Sequence, residues 1–342
     1  MSEKNRQWRI ARRPQGNVVL EDFEYREEDI PTPGPGEFLS KALYLNLAPV
    51  MRMYMSGESN ARERALDIGE IIHGRAVSEV IESNHPDYKT GDIVQGQTGW
   101  QTYCVTKATS QEKYRKVPDL GKPYSFALSS LGMTGFSAYF GFVDCGKPKP
   151  GDVVVVSGAA GGVGSFVVQL AKIYDCRVIG IAGGQEKCEL IRRLGCDEAL
   201  DYKSEDIPTR LSEVCPDGID LYFDNVGGET LTAVLNNLAR DARIALCGSI
   251  SEYMREEPFG LTNYTNLRSA NATMKGFFIY NYVEQFDEAE KHIGEWIKQG
   301  RLKAVEDIVD GFDQMPFGLA RLYTGGNLGV SMCRVRPDPY EQ

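Results

Sequence analysis

The run Ser157-Gly158-Ala159-Ala160-Gly161-Gly162-Val163-Gly164-Ser165 directly follows four valines and directly opens the amphipathic stretch SFVVQLAKIYD. Set against the pattern G-x-G-x-x-G it reads Ala159, Gly161, Gly164, with alanine in place of the first glycine. Missing side chains let a backbone approach a diphosphate closely. A helix that starts there adds free N–H donors and the positive end of its dipole. Glycines alone are a weak signal, but a strand before them and a helix after them supply the context that the motif requires. Gly161, Gly162, Val163, Gly164 and Ser165 are therefore the candidate phosphate cradle.

About twenty residues beyond such a turn, a fold that binds NAD carries an acid for the ribose hydroxyls. The chain here reads Ile181-Ala182-Gly183-Gly184-Gln185-Glu186-Lys187, so two glycines stand where the acid is expected. An acid would repel a 2′-phosphate and a cation would stabilise it. Lys187 opens the next predicted helix and can reach back across the loop past Gly183, although a solvated surface lysine is the alternative. Tyr202 and Lys203, in LDYKSED, fall where the third strand should end. Glu186 can point to solvent and favour the helix dipole. The pattern predicts a pocket for NADP(H) rather than NAD.

Other chemistries lack their residues. The three histidines, His73, His85 and His292, have no cysteine or carboxylate at ligand spacing, so no metal site is expected. No G-x-S-x-G elbow occurs, which disfavours a Ser-His-Asp hydrolase. A hydride carrier without a Lewis acid to polarise a simple carbonyl needs an acceptor that requires less polarisation.

The elements that must hold these residues follow from periodicity. Residues 1–127 alternate short apolar runs with Pro and Gly punctuation, as in PTPGPGEF (31–38), EFLSKALYLNL (37–47), GEIIHGRAVSEVIES (69–83) and GDIVQGQTGWQTYCVT (91–106). That pattern predicts a barrel-like β domain. Residues 128–311 begin with the helical stretch around SFALSSLGMTGFSAYFGFVDCG and then alternate strand and helix: VVVVS, CRVIGIA, GIDLYFDNV, RIALCGSI and MKGFFIYNY are the strands. This rhythm predicts an α/β domain with a doubly wound parallel sheet. Residues 312–342 return to strand and loop and are expected to rejoin the first domain. Of 342 residues, 42% are hydrophobic and 25% charged, and the net charge is −10, so neither nucleic acid nor an acidic membrane is an expected partner. Eight scattered cysteines without a CxxC pair, no secretory apolar segment and no membrane-length apolar run predict a reduced, cytoplasmic protein.

The motifs GEIIHG (69–74), LGMTGFSAYFG (131–141), SGAAGGVGS (157–165), AGGQEKCELI (182–191), DYK (201–203), GIDLYFDNVGGETL (218–231), CGSISEY (247–253), GFFIY (276–280) and NLG (327–329) occur in one order along nearly the whole chain. In them the sequence resembles the zinc-independent medium-chain reductases, in the branch of prostaglandin/leukotriene reductases, plant 2-alkenal double-bond reductases and curcumin reductase-like enzymes. The resemblance implies a GroES-like β-barrel domain joined to a Rossmann domain, a homodimer, and NADPH-dependent reduction of the C=C bond of α,β-unsaturated aldehydes and ketones. It implies that Gly162 to Ser165 meet the pyrophosphate and that Lys187 and Tyr202 meet the 2′-phosphate. Asn225, the run Cys247 to Tyr253 with Ser249, the strand segment Phe277, Phe278, Ile279, and Asn327 would line the nicotinamide and its ribose. Core packing is an almost equal reading for Phe277 and Ile279, and a turn-forming role is open for Asn225.

Within that chemistry Tyr253 is the candidate donor to the carbonyl oxygen, where enolate charge develops; an aromatic wall is its other reading. Val50, Tyr54 and Met133 are candidate substrate contacts. The chain departs from its relatives at Ala48-Pro49-Val50-Met51-Arg52, where Asp-Pro-Tyr-Met-Arg is common, at Ser269 in place of a tyrosine, and at Val330 in place of a lysine. The first two changes predict a roomier, more apolar pocket. A quinone reductase of the same superfamily and a non-catalytic NADPH-binding protein are the alternatives.

Overall fold

The computed structural model describes residues 2–57, 64–109, 114–255 and 257–340. Its contacts divide the chain into two compact units. One comprises 1–128, 307–326 and 331–342, the other 129–306 and 327–330.

The first unit opens with an antiparallel pair, β1 (Asn5–Ile10) and β2 (Phe23–Glu28). β3 (Phe38–Asn46) follows, then the short helix α1 (Met51–Ser56), β4 (Arg75–Ser83), β5 (Ile93–Gln97), β6 (Tyr103–Thr106) and β7 (Arg115–Lys116). Trp8, Leu45, Met51, Ile72, Trp100, Phe312 and Leu319 share its buried core. Two expected strands are shorter here. Residues 69–74 run as a bridge segment along β1, with the Ile10 N–H donated to the Glu70 carbonyl and the Ile72 N–H to the Trp8 carbonyl. The 91–106 stretch breaks at Thr98-Gly99, whose N–H groups both reach the Gly74 carbonyl and whose glycine has φ +70°.

The second unit begins with α2 (Met133–Phe140), which continues as one π-helical turn, Gly141–Gly146. The alternation then follows: β8 (Val153–Ser157), α3 (Gly162–Ile173), β9 (Arg177–Ala182), α4 (Gln185–Arg193), β10 (Glu198–Asp201), α5 (Ile207–Val214), β11 (Ile219–Asp224), α6 (Gly228–Leu235), β12 (Leu238–Leu246), α7 (Asn266–Ser269), β13 (Thr273–Gly276) and α8 (Phe286–Lys298). The strands lie in the order β10-β9-β8-β11-β12-β13, every pair parallel. That is the doubly wound Rossmann order, in which the strand order reverses between β8 and β11 and leaves a ligand crevice at the carboxyl ends of the strands. β8 reads as an unbroken apolar run because helices cover both faces; Val154, Val155 and Val156 are 0% exposed.

The chain closes with β14 (Glu306–Asp310), α9 (Met315–Tyr323) and β15 (Val330–Arg334). Strands β14 and β15 extend the first unit's sheet, whose order is β14-β15-β3-β4-β5-β7 with β6 also on β3. Among the described residues no helix is long and apolar enough to cross a membrane.

Candidate functional site

The glycine-rich turn after β8 is built as a cradle. Gly158, one residue ahead of the alanine aligned to the motif, has φ +57° and makes the tight turn that the first glycine normally makes. The Gly161 N–H closes the turn onto the Gly158 carbonyl at 2.9 Å. A Cβ on Gly164 would lie 2.2 Å from that same carbonyl oxygen, so the helix can start this close to the strand only with glycine there. Ala159 fills its own place, its methyl packed on Gly180 of β9. Gly161, Gly162 and Val163 are half-exposed, and no side chain caps α3 at Gly161. Ser165 differs from the expectation. It is fully buried, its N–H goes to the Gly161 carbonyl and its hydroxyl to the Gly162 carbonyl, so it fastens the helix start and offers no donor outward.

A distant segment braces this turn. The Gly329 N–H donates to the Ala160 carbonyl at 2.7 Å, and Gly329 bridges Gly161 in parallel. Asn327 secures the bracing segment itself, its Nδ2 donating to the Gly329 carbonyl at 3.2 Å. Val330 is buried; a Cβ on Gly162 would come within 3.4 Å of its methyl and 3.1 Å of the Thr134 methyl.

The end of β9 answers the question of the missing acid. The Tyr202 ring lies directly over Gly183: a Cβ there would sit 2.6 Å from Cε1 and Cζ and 2.7 Å from the hydroxyl. Gly183 has an ordinary φ, whereas Gly184 has φ +94° and needs glycine for its backbone. The ring is 53% exposed, presenting one face to solvent beside a strand end that carries no acid side chain. Lys187 lies half-buried in the first turn of α4 and Glu186 is exposed. The acid that sequence reading missed is Asp201, at the end of β10. Its Oδ1 accepts the Gly184 N–H at 2.7 Å and the Lys203 N–H at 3.0 Å, and its Oδ2 accepts the Ser204 hydroxyl at 3.0 Å. The Gly184 N–H foremost holds its carboxyl below the usual carboxylate range.

The ends of β11 and β12 carry the remaining group. Asp224 is 1% exposed, and four donors converge on its Oδ1: the hydroxyls of Ser157 and Tyr222, and the N–H groups of Val226 and Gly227. Burial, then the Asp224 charge, pushes the Tyr222 phenol well above its ordinary value. This network fixes the turn after β11. Asn225 is held by its N–H to the Ser157 hydroxyl and its Nδ2 to the Ser157 carbonyl at 2.8 Å. The loop after β12 is tied onto the turn, Ile250 N–H to Asn225 carbonyl and Ser251 hydroxyl to Val226 carbonyl. Tyr253 closes the loop. Its hydroxyl accepts the Ser249 N–H at 3.5 Å and stands 3.5 Å from where a Gly248 Cβ would be. The Cys247 N–H donates to the Asp224 carbonyl, and its thiol is pushed up to about 12 by desolvation and then by the Asp224 charge. A sequence signal for Asp224 existed in the acid that ends the apolar run IDLYF, and for Asp201 in the acid before Tyr-Lys-Ser.

Other candidates fall differently. β13 ends at Gly276, so Phe277 to Ile279 do not continue a strand, and a 3₁₀ turn follows over Ile279–Gln285. The physical reason is Gly141: the Phe277 ring fills the space its missing side chain leaves, 2.5 Å from a would-be Cβ, and packs edge-on to Phe223 at 6.4 Å. Phe278 meets Tyr280 at 5.2 Å and Ile279 is half-buried. In the first unit, Val50 precedes α1, whose start is clamped by the Tyr323 hydroxyl between the Pro49 carbonyl and the Arg52 N–H. Tyr54 stands edge-on to His73 at 5.4 Å. Met133, in the second unit, is the first residue of α2.

The second unit's donor set fits a phosphorylated dinucleotide. It has an uncapped helix start behind a side-chain-free turn, a ring and a lysine at the second strand's end in place of an acid, and a polar turn after β11. Among the described residues no group of three or more His, Cys, Asp and Glu side chains could hold a metal ion.

Comparisons agree with this geometry. Residues 6–114 match a family described as the N-terminal domain of oxidoreductase, and residues 162–295 one described as zinc-binding dehydrogenase. The NADPH-dependent curcumin reductase of Escherichia coli is 40% identical over 98% of each chain. The NADP⁺-dependent 2-alkenal reductase of Nicotiana tabacum is 38% identical over 88% of each. The crystal structure of CurA in complex with NADPH from Vibrio vulnificus superposes with a TM-score of 0.91 at 38% identity, covering 97% of this chain and 99% of that one.

Proposed function

This chain belongs to the zinc-independent medium-chain dehydrogenases/reductases, in the branch of the curcumin, 2-alkenal and prostaglandin reductases, and on that premise we propose how it works. It is an NADP-dependent oxidoreductase that reduces the C=C bond of α,β-unsaturated aldehydes and ketones, with a Rossmann domain and a GroES-like domain. The observation that carries the reading is the end of β9, where the Tyr202 ring occupies the space over Gly183 and Lys187 follows one helical turn on. That arrangement suits a 2′-phosphate and excludes the acid that NAD enzymes use.

Bound NADPH supplies a hydride for the β-carbon. The backbone N–H groups of Gly162, Val163 and Gly164 hold the diphosphate, Gly161 supplies the side-chain-free turn that lets it approach, and Ser165 secures that helix start. Gly183, Lys187 and Tyr202 take the adenosine 2′-phosphate. Asn225, Cys247, Ser249, Phe277, Phe278, Ile279 and Asn327 shape the nicotinamide end, with Phe277 acting through packing. Tyr253 donates a hydrogen bond to the substrate carbonyl oxygen as enolate charge develops. Its phenol does this while neutral, and such a donor typically contributes about 3–4 kcal/mol. Water then protonates the α-carbon. Substrate contacts come from Val50, Tyr54 and Met133, and the absence of a phenol at Val50 favours a bulky, apolar conjugated carbonyl.

The protein acts in the cytoplasm as a homodimer. Supporting the dimer, β13 is the outer strand of the six-stranded sheet and its Thr273, Lys275 and Gly276 are exposed. Domain boundaries near 127 and 311 separate the substrate-side and nucleotide-side domains.

The test is isotopic. NADPH deuterated at C4 and a simple enone should give product labelled at the β-carbon. Label on the carbonyl carbon, or radical products from quinones alone, would overturn the assignment.

A further inference from the structure

The loops that carry Gly183 and Tyr202 come from different strands, and one carboxylate joins them. Asp201 Oδ1 accepts both the Gly184 N–H, at 2.7 Å, and the Lys203 N–H, at 3.0 Å. The first amide leads into the helix bearing Lys187; the second follows Tyr202 directly. The Tyr202 N–H meanwhile donates to the Ala182 carbonyl at 3.1 Å, and the Tyr202 ring packs on Gly183. Asp201 is itself fixed. Its N–H donates to Glu205 Oε1 at 2.7 Å, and Glu205 Oε2 receives the Arg210 Nε at 2.7 Å.

A carboxylate this close to a phosphate-binding strand end is paradoxical, since free in solution it would repel the phosphate. Here both oxygens face donors: two backbone amides on one, the Ser204 hydroxyl on the other. The charge is matched locally by N–H and O–H dipoles.

Resting on the NADPH reading above, we propose that Asp201 is a positioning residue for cofactor choice: it latches the Gly184 loop to the Tyr202–Lys203 turn, and so sets the ring and the lysine that distinguish a 2′-phosphate from a 2′-hydroxyl. Removing the latch loosens the phosphate-specific half of the pocket and leaves the diphosphate cradle, which it does not touch.

The test compares wild type with Asp201→Ala and Asp201→Asn by calorimetry, using adenosine 2′,5′-bisphosphate and 5′-AMP as probes, and by kcat/KM with NADPH and NADH. With Asp201→Ala, bisphosphate affinity should fall about tenfold while 5′-AMP affinity changes by less than threefold, and the NADPH:NADH ratio should fall in parallel. Asp201→Asn keeps an acceptor oxygen for the two amides and should restore the wild-type ratio to within about threefold. Equal losses for both probes in Asp201→Ala would assign a merely structural role and overturn the proposal. A gain in bisphosphate affinity in either variant would overturn it too, by showing that Asp201 acts as a repelling charge. If wild type itself fails to prefer the bisphosphate, it is the NADPH reading that falls. Should Asp201→Ala not fold, Asp201→Leu keeps the side-chain bulk while removing both acceptor oxygens, and an unchanged probe ratio there refutes the latch.

Discussion

Replacing Gly183 by aspartate puts an acid where an NAD enzyme would have one, and the structure sets the size of the effect. Gly183 has an ordinary φ, so the backbone accepts the change. The new Cβ would lie 2.6 Å from the Tyr202 ring, where ordinary contact begins at 3.4 Å, so the ring must retreat by roughly 1 Å or swing out. The ring is 53% exposed and can swing without opening a core cavity, losing contact worth about 1 kcal/mol. A carboxylate about 6 Å from a phosphate dianion adds repulsion of about 1.4 kcal/mol at the dielectric of water and more in a partly buried site, so roughly 2 kcal/mol is a moderate value. The sum, about 3 kcal/mol, is a loss of roughly a hundredfold in NADPH affinity. NADH should lose little, because the acid can accept the ribose hydroxyls. Gly183→Ala separates the effects: it displaces the ring without charge and should lose only about fivefold. The assay is kcat/KM for each cofactor at saturating enone. If Gly183→Asp keeps the NADPH:NADH ratio within about threefold of wild type, or matches Gly183→Ala, the account of the strand end is wrong.

Tyr253→Phe removes only the hydroxyl and should lower kcat by about 200- to 900-fold with little change in KM for NADPH; a change below threefold would make the residue an aromatic wall. Asp224→Ala leaves four donors around a 1%-exposed site without their acceptor, so stability should fall by about 3–5 kcal/mol, read as a lower urea midpoint. An unchanged midpoint would refute the network's structural weight. Burial pushes the thiols of Cys196 and Cys333 up to about 12. Their folded-state values lie above the unfolded ones, so the unfolded chain releases protons first as pH rises. The resulting stability is intact below about pH 8.5 and declines at higher pH, by up to about 1.4 kcal/mol per pH unit for each thiol, until the folded thiols ionise near 12. Urea midpoints at pH 7, 9 and 10.5 should be level and then fall, and the double variant Cys196→Ala/Cys333→Ala should flatten part of that decline.

How much of this was legible in the sequence depends on distance along the chain. Strand–helix alternation from Val153 onward, the glycine turn at 157–165 and the empty acid position at Gly183 are local patterns. Period, turn chemistry and side-chain size are properties of neighbouring residues, and a strand that feeds a helix through glycines leaves few alternatives. Even there, identity of position slipped by one: Gly158, not the aligned Ala159, makes the left-handed turn. The strand expected at Phe277–Ile279 failed for a different reason. Apolar residues with strand propensity fit a sheet edge and a packed aromatic turn equally well, and the deciding residue, Gly141, lies far away in the chain.

The amino-acid sequence by itself determined the doubly wound class, the glycine turn that opens α3 and the preference for a phosphorylated cofactor, because each is written in short runs whose conformations are nearly forced. Only the tertiary structure decided that Tyr202 covers Gly183, that Asp201 joins two loops, that Gly329 braces Ala160, and that Asp224 organises the turn to which the loop ending in Tyr253 is tied. Those contacts cross between strands, and which strands become neighbours follows from how helices pack on the sheet, a matter of the whole core that no local pattern carries.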